Sequence, residues 1–241
     1  MPEPFFVVTI IRTLAILHKM NLPIGVNDMK KSWLIILLLA CSGCAFSNLT
    51  VQPPPAPRLL GRCDDTSPSI TLVVPFKDSR PQQWRCGMQK NGYNMDTANV
   101  YCASNPSTYL ADLLAAELQS AGFAVHRRAE TAPDGALLIE GQLLQFFIEP
   151  KVEAFTFNPE ADIHIILLAT SSLGLRAERD FYVKGTQEAL MGAERNFQLA
   201  ADEATQQIVR NMANAIQELL HRYPELRIPT PRRMMGRTQC S

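Results

Sequence analysis

The sequence predicts an α+β fold, a two-layer sandwich in which a mostly antiparallel sheet carries two helices packed on one face. Three observations predict it. Stretches beginning near Pro106 and Asn196 repeat apolar residues at helical spacing. Between them lie three long runs rich in β-branched and aromatic residues, and the turns joining them are short enough to make an antiparallel meander. The order strand, helix, short strand, meander, helix suits helices gathered on one face of a sheet.

The chain before this domain reads as an address. Residues 1–28 are apolar from Phe5 to Ile11 and then broken by Arg12, His18, Lys19, Pro23 and Asp28. They form neither a spanning helix nor a signal, and are expected to be a mis-assigned start or a non-structural extension, with Met29 as the true start. From Met29 the pattern is coherent: Lys30-Lys31, an apolar run from Trp33 to Ala40, then small residues and cysteines. A basic n-region, a short h-region and small residues at the cut make a signal peptide, here 29–43. The run is shorter than the roughly 20 residues of a bilayer span. A cysteine at the cut resembles a bacterial lipobox, in which the thiol is acylated and becomes the first residue of the mature chain. Cys44, preceded by Ser42-Gly43, is the favoured lipidation site; Cys41, preceded by Leu38-Leu39-Ala40, is the alternative. Cleavage before Cys44 leaves Cys63, Cys86, Cys102 and Cys240, an even set for an oxidising compartment.

Residues 44–68 are expected to be a lipidated, Pro-rich tether, because Pro53-Pro54-Pro55 and Pro57 favour stiff polyproline II. No Asp follows either cysteine, which by resemblance to enterobacterial sorting favours the outer membrane, periplasmic face. The α+β domain is expected over 69–222, and the mature length, about 200 residues, suffices for one real core. The 23 basic residues equal the 23 acidic ones. That balance speaks against nucleic-acid binding, which draws its affinity from a basic excess.

Ser69–Phe76 is the first strand, β-branched and stopped at Pro75. Lys77–Pro106 is polar, and is expected to be irregular apart from the Asn91-Gly92 turn. It contains Cys86 and Cys102. A bridge between them would close a loop of about 17 residues and contribute about 3 kcal/mol on the chain-entropy model. Cys63 with Cys240 is a second, weaker pairing; connectivity is not deducible from sequence. Asn105-Pro106 caps and starts a helix whose face is Leu110, Leu113, Leu114, Leu118 and Ala121, and Gly122 ends it. Phe123–Arg127 is a short strand. The meander is Ala136–Ile148, Lys151–Thr170 with a bulge or break near Asn158-Pro159, and Leu175–Gly185. The last helix, Asn196–His221, buries Ala201, Ala204, Ile208, Met212, Ala215, Ile216 and Leu219, and Pro224 stops it. Residues 223–241, with Arg227, Arg232, Arg233 and Arg237 among prolines, are expected to be a disordered basic tail.

The array Phe76-Lys77-Asp78-Ser79-Arg80-Pro81, then Lys90-Asn91-Gly92-Tyr93-Asn94-Met95 and Leu118–Val125, resembles the YajG-like family of bacterial lipoproteins. Ala161-Asp162-Ile163-His164-Ile165 and the helix Phe197–Leu220 extend the likeness over about 69–222. The resemblance implies an outer-membrane lipoprotein without established chemistry. Cys86, Cys102 and Cys240 are not part of that pattern, so the disulfide rests on this sequence alone.

No catalytic constellation emerges. His126, His164 and His221 are dispersed, whereas a zinc site needs clustered ligands. Asp78 and Asp96 have no nucleophile or base motif beside them. There is no Cys-x-x-Cys pair, and disulfides are the default in an exported chain. Neither a metal nor a cofactor is expected. Adjacent aromatics Phe146-Phe147 and Phe181-Tyr182, with Phe155 and Phe157, must divide between the two faces of the meander, and any left exposed would suit a partner or lipid surface. The reading is a non-catalytic lipoprotein, not an enzyme: an envelope binding or accessory module attached to the membrane by its lipid and bound to an envelope protein. The alternatives are a carrier of a lipid or small apolar ligand, and an auxiliary subunit of an envelope transporter.

Overall fold

The computed structural model describes residues 47–55, 69–128, 137–153, 156–171, 173–188 and 194–227. Expectations about the extension, the signal peptide, Cys41, Cys44, Cys63, Phe155, Cys240 and the tail past 227 lie outside the described residues. The described strands are β1 (Leu49–Val51), β2 (Ser69–Val73), β3 (Lys77–Asp78), β4 (Gly87–Lys90), β5 (Asp96–Cys102), β6 (Ala124–Arg128), β7 (Leu137–Val152), β8 (Phe157–Ser171) and β9 (Arg176–Thr186). The helices are α1 (Pro106–Ser120) and α2 (Glu194–Arg222), followed by a 3-10 turn, Pro224–Arg227.

The sheet is built on β7. One edge of β7 takes β8 from Leu137↔Ser171 to Val152↔Phe157, and β8 takes β9, both antiparallel. The other edge takes three short strands in succession, all parallel: β2 beside Leu137–Ile139, β3 beside Gln142 and Leu143, and β4 at Ile148. Beyond them β6 pairs with β2, β5 with β4, and β1 with β5. The long antiparallel meander dominates, so the sheet is mostly antiparallel and the fold is the α+β sandwich that the sequence predicts.

Local chemistry explains the helices. The Asn105 side chain accepts from Ser107 N at 3.0 Å, Pro106 takes the first turn, and Gly122 leaves α1 at φ 90°. Alternate residues of β8 (Ala161, Ile163, Ile165, Leu167, Ala169) are buried on one face. Against that face lie Ala201, Ala204, Ile208, Met212 and Ile216 of α2, while Leu110, Leu114 and Leu118 of α1 join the same core beside β2, β6 and β7. The approach of α2 is close enough that a Cβ on Gly185 would stand 2.3 Å from the Ala200 carbonyl oxygen.

The structure corrects three expectations. The tether does not run unbroken from 44 to 68: Leu49-Thr50-Val51, a β-favouring triplet, forms β1 and is zipped to β5. The segment Lys77–Pro106 is not irregular, since it contains β3 and the hairpin β4–β5. Those strands carry Gln89, Lys90, Asp96, Thr97 and Asn99, so no apolar alternation marks them. Finally, β7 continues to Val152, so Asn158 and Pro159 pair within the ladder opposite Lys151 and Pro150, and the irregularity falls between Leu143 and Gln145. Past α2, Leu226 of the 3-10 turn is buried against the core, so the tail begins in ordered structure.

Candidate functional site

Between β3 and β5 the chain forms a lobe with few buried apolar side chains. Two devices order it. The first is Arg80, whose side chain is almost wholly buried. Its Nε and Nη2 fork onto the Asp78 carboxylate at 3.0 and 2.9 Å, and Nη1 and Nη2 donate to the Arg85 and Gln83 carbonyls at 3.3 and 3.2 Å. A planar guanidinium satisfies all these acceptors at once, which an ammonium could not. The second device is a disulfide between Cys86 and Cys102, with Cα atoms 5.6 Å apart. It clamps the start of β4 to the end of β5, and Arg80 Nη1 lies 3.6 Å from Cys86 Sγ.

The lobe displays an aromatic and cationic cluster. Trp84 is 60% exposed, with its ring centroid 6.4 Å from that of Tyr101. The Arg85 guanidinium sits 5.0 Å from the Trp84 centroid and 5.6 Å from that of Phe147, and Nη1 donates to Asn99 Oδ1 at 3.2 Å. Phe147 belongs to the face of β7 turned away from the helices, while its neighbour Phe146 is buried beneath them. The adjacent aromatics therefore divide as pleating requires, and Arg85 covers the outer one.

The same open face continues across the meander. Phe147 is opposite Asp162, and Asp162 is opposite Lys184. Tyr182 is 56% exposed and donates its hydroxyl to Asp162; that bond holds the phenol above its ordinary range. Lys184 donates to Glu160 at 2.7 Å, which raises the ammonium likewise. His164 meets Asp180 at 2.6 Å and lies edge-on to Tyr182. These are cross-strand pairs on a solvated sheet face. Phe157 and Phe181 are half-buried against the core.

The histidines are not brought together: His126 and His221 are exposed on β6 and α2, and His164 is on β8. Among the described residues no group of three potential metal ligands converges. Asp78 serves Arg80, and Asp96 is exposed at the start of β5. Between α2 and the meander, Ile139, Leu167, Phe181, Ile216 and Leu219 line a cavity of about 30 Å³. That is room for one water, against the ~300–1,000 Å³ of a ligand pocket, so the carrier alternative has no chamber at this place. In the sequence, Arg80 stands only within the family-like array and Trp84-Arg85 passes unmarked. An aromatic–cation pair two residues before a cysteine was the available signal.

A family model described as an uncharacterized lipoprotein matches residues 61–220. No curated protein matches the chain. Among solved structures, a protein from Xanthomonas campestris is 13% identical, covering 75% of this chain and 98% of its own, with a TM-score of 0.49. A minor lipoprotein from Acinetobacter baumannii is 11% identical over 62% and 92% of the two chains, with a TM-score of 0.33. A lipoprotein from Neisseria meningitidis is 13% identical over 63% and 99%, with a TM-score of 0.31. No described helix is long and apolar enough to cross a membrane.

Proposed function

Because the chain belongs to this uncharacterized family of bacterial lipoproteins, we propose that it acts as a non-catalytic accessory module on the periplasmic face of the outer membrane, held there through an acylated Cys44, with Cys41 as the alternative. In this reading it docks an envelope protein on its disulfide-stapled lobe. The observation that carries the reading is the Trp84–Arg85–Tyr101–Phe147 cluster. Trp, Tyr and Arg dominate the energetics of protein interfaces when a rigid support presents them, and here Arg80 and the Cys86–Cys102 bridge supply the support. The outward position of Trp84 has no evident use in the chain's own core.

A photoreactive residue placed at Trp84 in the native envelope tests this. It should give a discrete crosslinked protein that is absent when the same residue replaces Arg210 on the exposed side of α2, and that weakens in Arg85→Ala. Identical products from both positions, or none from Trp84, would remove the lobe as a docking surface. Fatty-acid labelling lost in Cys44→Ser identifies the anchor; labelling lost only in Cys41→Ser moves it three residues upstream.

A further inference from the structure

We infer that the tip of the β4–β5 hairpin, Asn91–Met95, is a second, non-covalent membrane contact that sets the domain's orientation on the bilayer; this rests on the lipid anchor proposed above. The first argument is position. β1 runs parallel to β5, with Leu49 beside Val100 and Val51 beside Cys102. Followed backwards, the chain therefore heads toward the hairpin tip. Asn48 Oδ1 accepts from Asn99 N at 3.0 Å, and the Ser47 carbonyl accepts from the Gln89 side chain. Cys44 is three residues before Ser47, and three residues reach at most about 11 Å. From Asn99 to Asp96, where the tip begins, β5 descends about 10 Å along the same direction. An acyl group on Cys44 is thus tethered through Ser47, within that reach of the end of the sheet that carries the hairpin tip. The prolines at 53–55 follow β1 and do not lengthen this connection. Processing at Cys41 would add three residues, about 10 Å of reach, and leave the attachment at Ser47 unchanged.

The second argument is chemistry. The tip presents Tyr93, 86% exposed, and Met95, 56% exposed. A tyrosine ring suits the headgroup region, with its apolar body toward the acyl chains and its hydroxyl in water. Backbone donors are the usual obstacle to placing a loop in a lipid surface, because an unpaired N–H there is costly. This tip satisfies four of its five, at Asn91, Tyr93, Asn94 and Met95. Asn91 Oδ1 accepts from Tyr93 N at 3.0 Å and from Met95 N at 3.1 Å. Asn91 N donates to the Met95 carbonyl and Asn94 N to the Asn91 carbonyl, both at 2.9 Å. Asn94 has φ 61°, a left-handed conformation that asparagine tolerates, and this closes the loop. The result is a preformed wedge whose two exposed apolar side chains lie on the anchored side. Trp84, near Tyr101 at the opposite end of β5, is some 17 Å away along the strand and faces the periplasm.

The test uses the full acylated protein, purified from bacterial membranes and reconstituted in phosphatidylethanolamine–phosphatidylglycerol vesicles. Trp84 is the one tryptophan after Cys44, so the wild type reports on the lobe and Trp84→Phe with Tyr93→Trp reports on the tip. With phospholipids brominated high on the acyl chain, tip emission should fall by about half or more, as expected of a ring at the interface, while Trp84 emission should be unchanged. Tyr93→Ser with Met95→Ser should still float with the vesicles but lose its fixed orientation, seen as Trp84 becoming partly quenchable. Protein that floats with an unquenched tip tryptophan overturns the tip contact and leaves the anchor standing. Protein that carries no acyl chain and does not float overturns both. Quenching that appears only after an envelope extract is added would assign the tip to a protein partner and overturn direct lipid contact.

Discussion

Arg80 shows how one side chain can organise a segment that lacks a core of its own. It is buried, its partner Asp78 is nearly so, and its remaining donors fall on backbone carbonyls of the same loop. Removing one member of such a pair costs more than the pair contributes, because the other charge is left without compensation. Arg80→Ala should therefore lower stability by about 3–5 kcal/mol, read as a fall in thermal midpoint. Asp78→Asn with Arg80→Met should be milder than the single change. A second residue-scale prediction concerns titration. Burial of its hydroxyl pushes Tyr109 far above the ordinary phenol range, and Asp162 raises Tyr182. A group whose folded value is raised contributes stability that is complete below its unfolded value, near 10, and is lost as pH rises through the folded one. Of the five tyrosines, these two should ionise last in an ultraviolet titration. Tyr109 should ionise together with unfolding, and Tyr182 should return toward ordinary behaviour in Asp162→Asn. None of this was legible in the sequence. Arg80 takes its meaning from the way its own loop curls around it, and Tyr109 from its burial, neither of which a residue pattern marks.

At the scale of elements, legibility follows how local the determinants are. The face of α1 from Leu110 to Leu118, its Asn105 cap and its Gly122 exit lie within one short stretch, so they could be read directly, whereas Ala121, expected on that face, caps the helix and is exposed. The meander was legible for the same reason, as long β-branched runs joined by short turns. β4 and β5 were not, because their residues are polar and their order comes from the Arg80 network and the bridge. β1 is the extreme case, three residues recruited by a strand about fifty positions later. Beyond that pairing β1 is held by the burial of Leu49 and Val51, by the bonds of Ser47 and Asn48 to β4 and β5, and by Gln198 on α2. Its side chain accepts from Gln52 N at 2.8 Å and donates to the Gln52 carbonyl at 2.9 Å. Two such bonds are worth about 1–3 kcal/mol together. In Gln198→Ala the amides of Leu49–Val51 should exchange faster with deuterium while those of β7 and β8 keep their protection. Equal loosening of the whole sheet would mean that β1 is integral to the core.

Across the whole molecule these elements line up into a path for force. The anchor proposed at Cys44 connects to β1, and β1 pairs with β5. Cys102 ends β5 and is joined to Cys86, which precedes β4, the strand that meets the central β7. The bridge therefore lies between the membrane attachment and the core, and it also fixes the base of the lobe that carries Trp84. On the chain-entropy model, replacing both cysteines should cost about 2–4 kcal/mol. The loss should be uneven. The meander and helices bury their own apolar faces, whereas the lobe depends on the bridge and Arg80. In Cys86→Ala with Cys102→Ala, hydrogen exchange should rise across residues 79–102 and in β1, and change little in α2 and β8. Membrane residence should persist, since the acyl chains are untouched, while the crosslink from Trp84 should be lost. A variant that exchanges like the wild type in the lobe and still crosslinks would show that Arg80 alone holds the docking surface in shape.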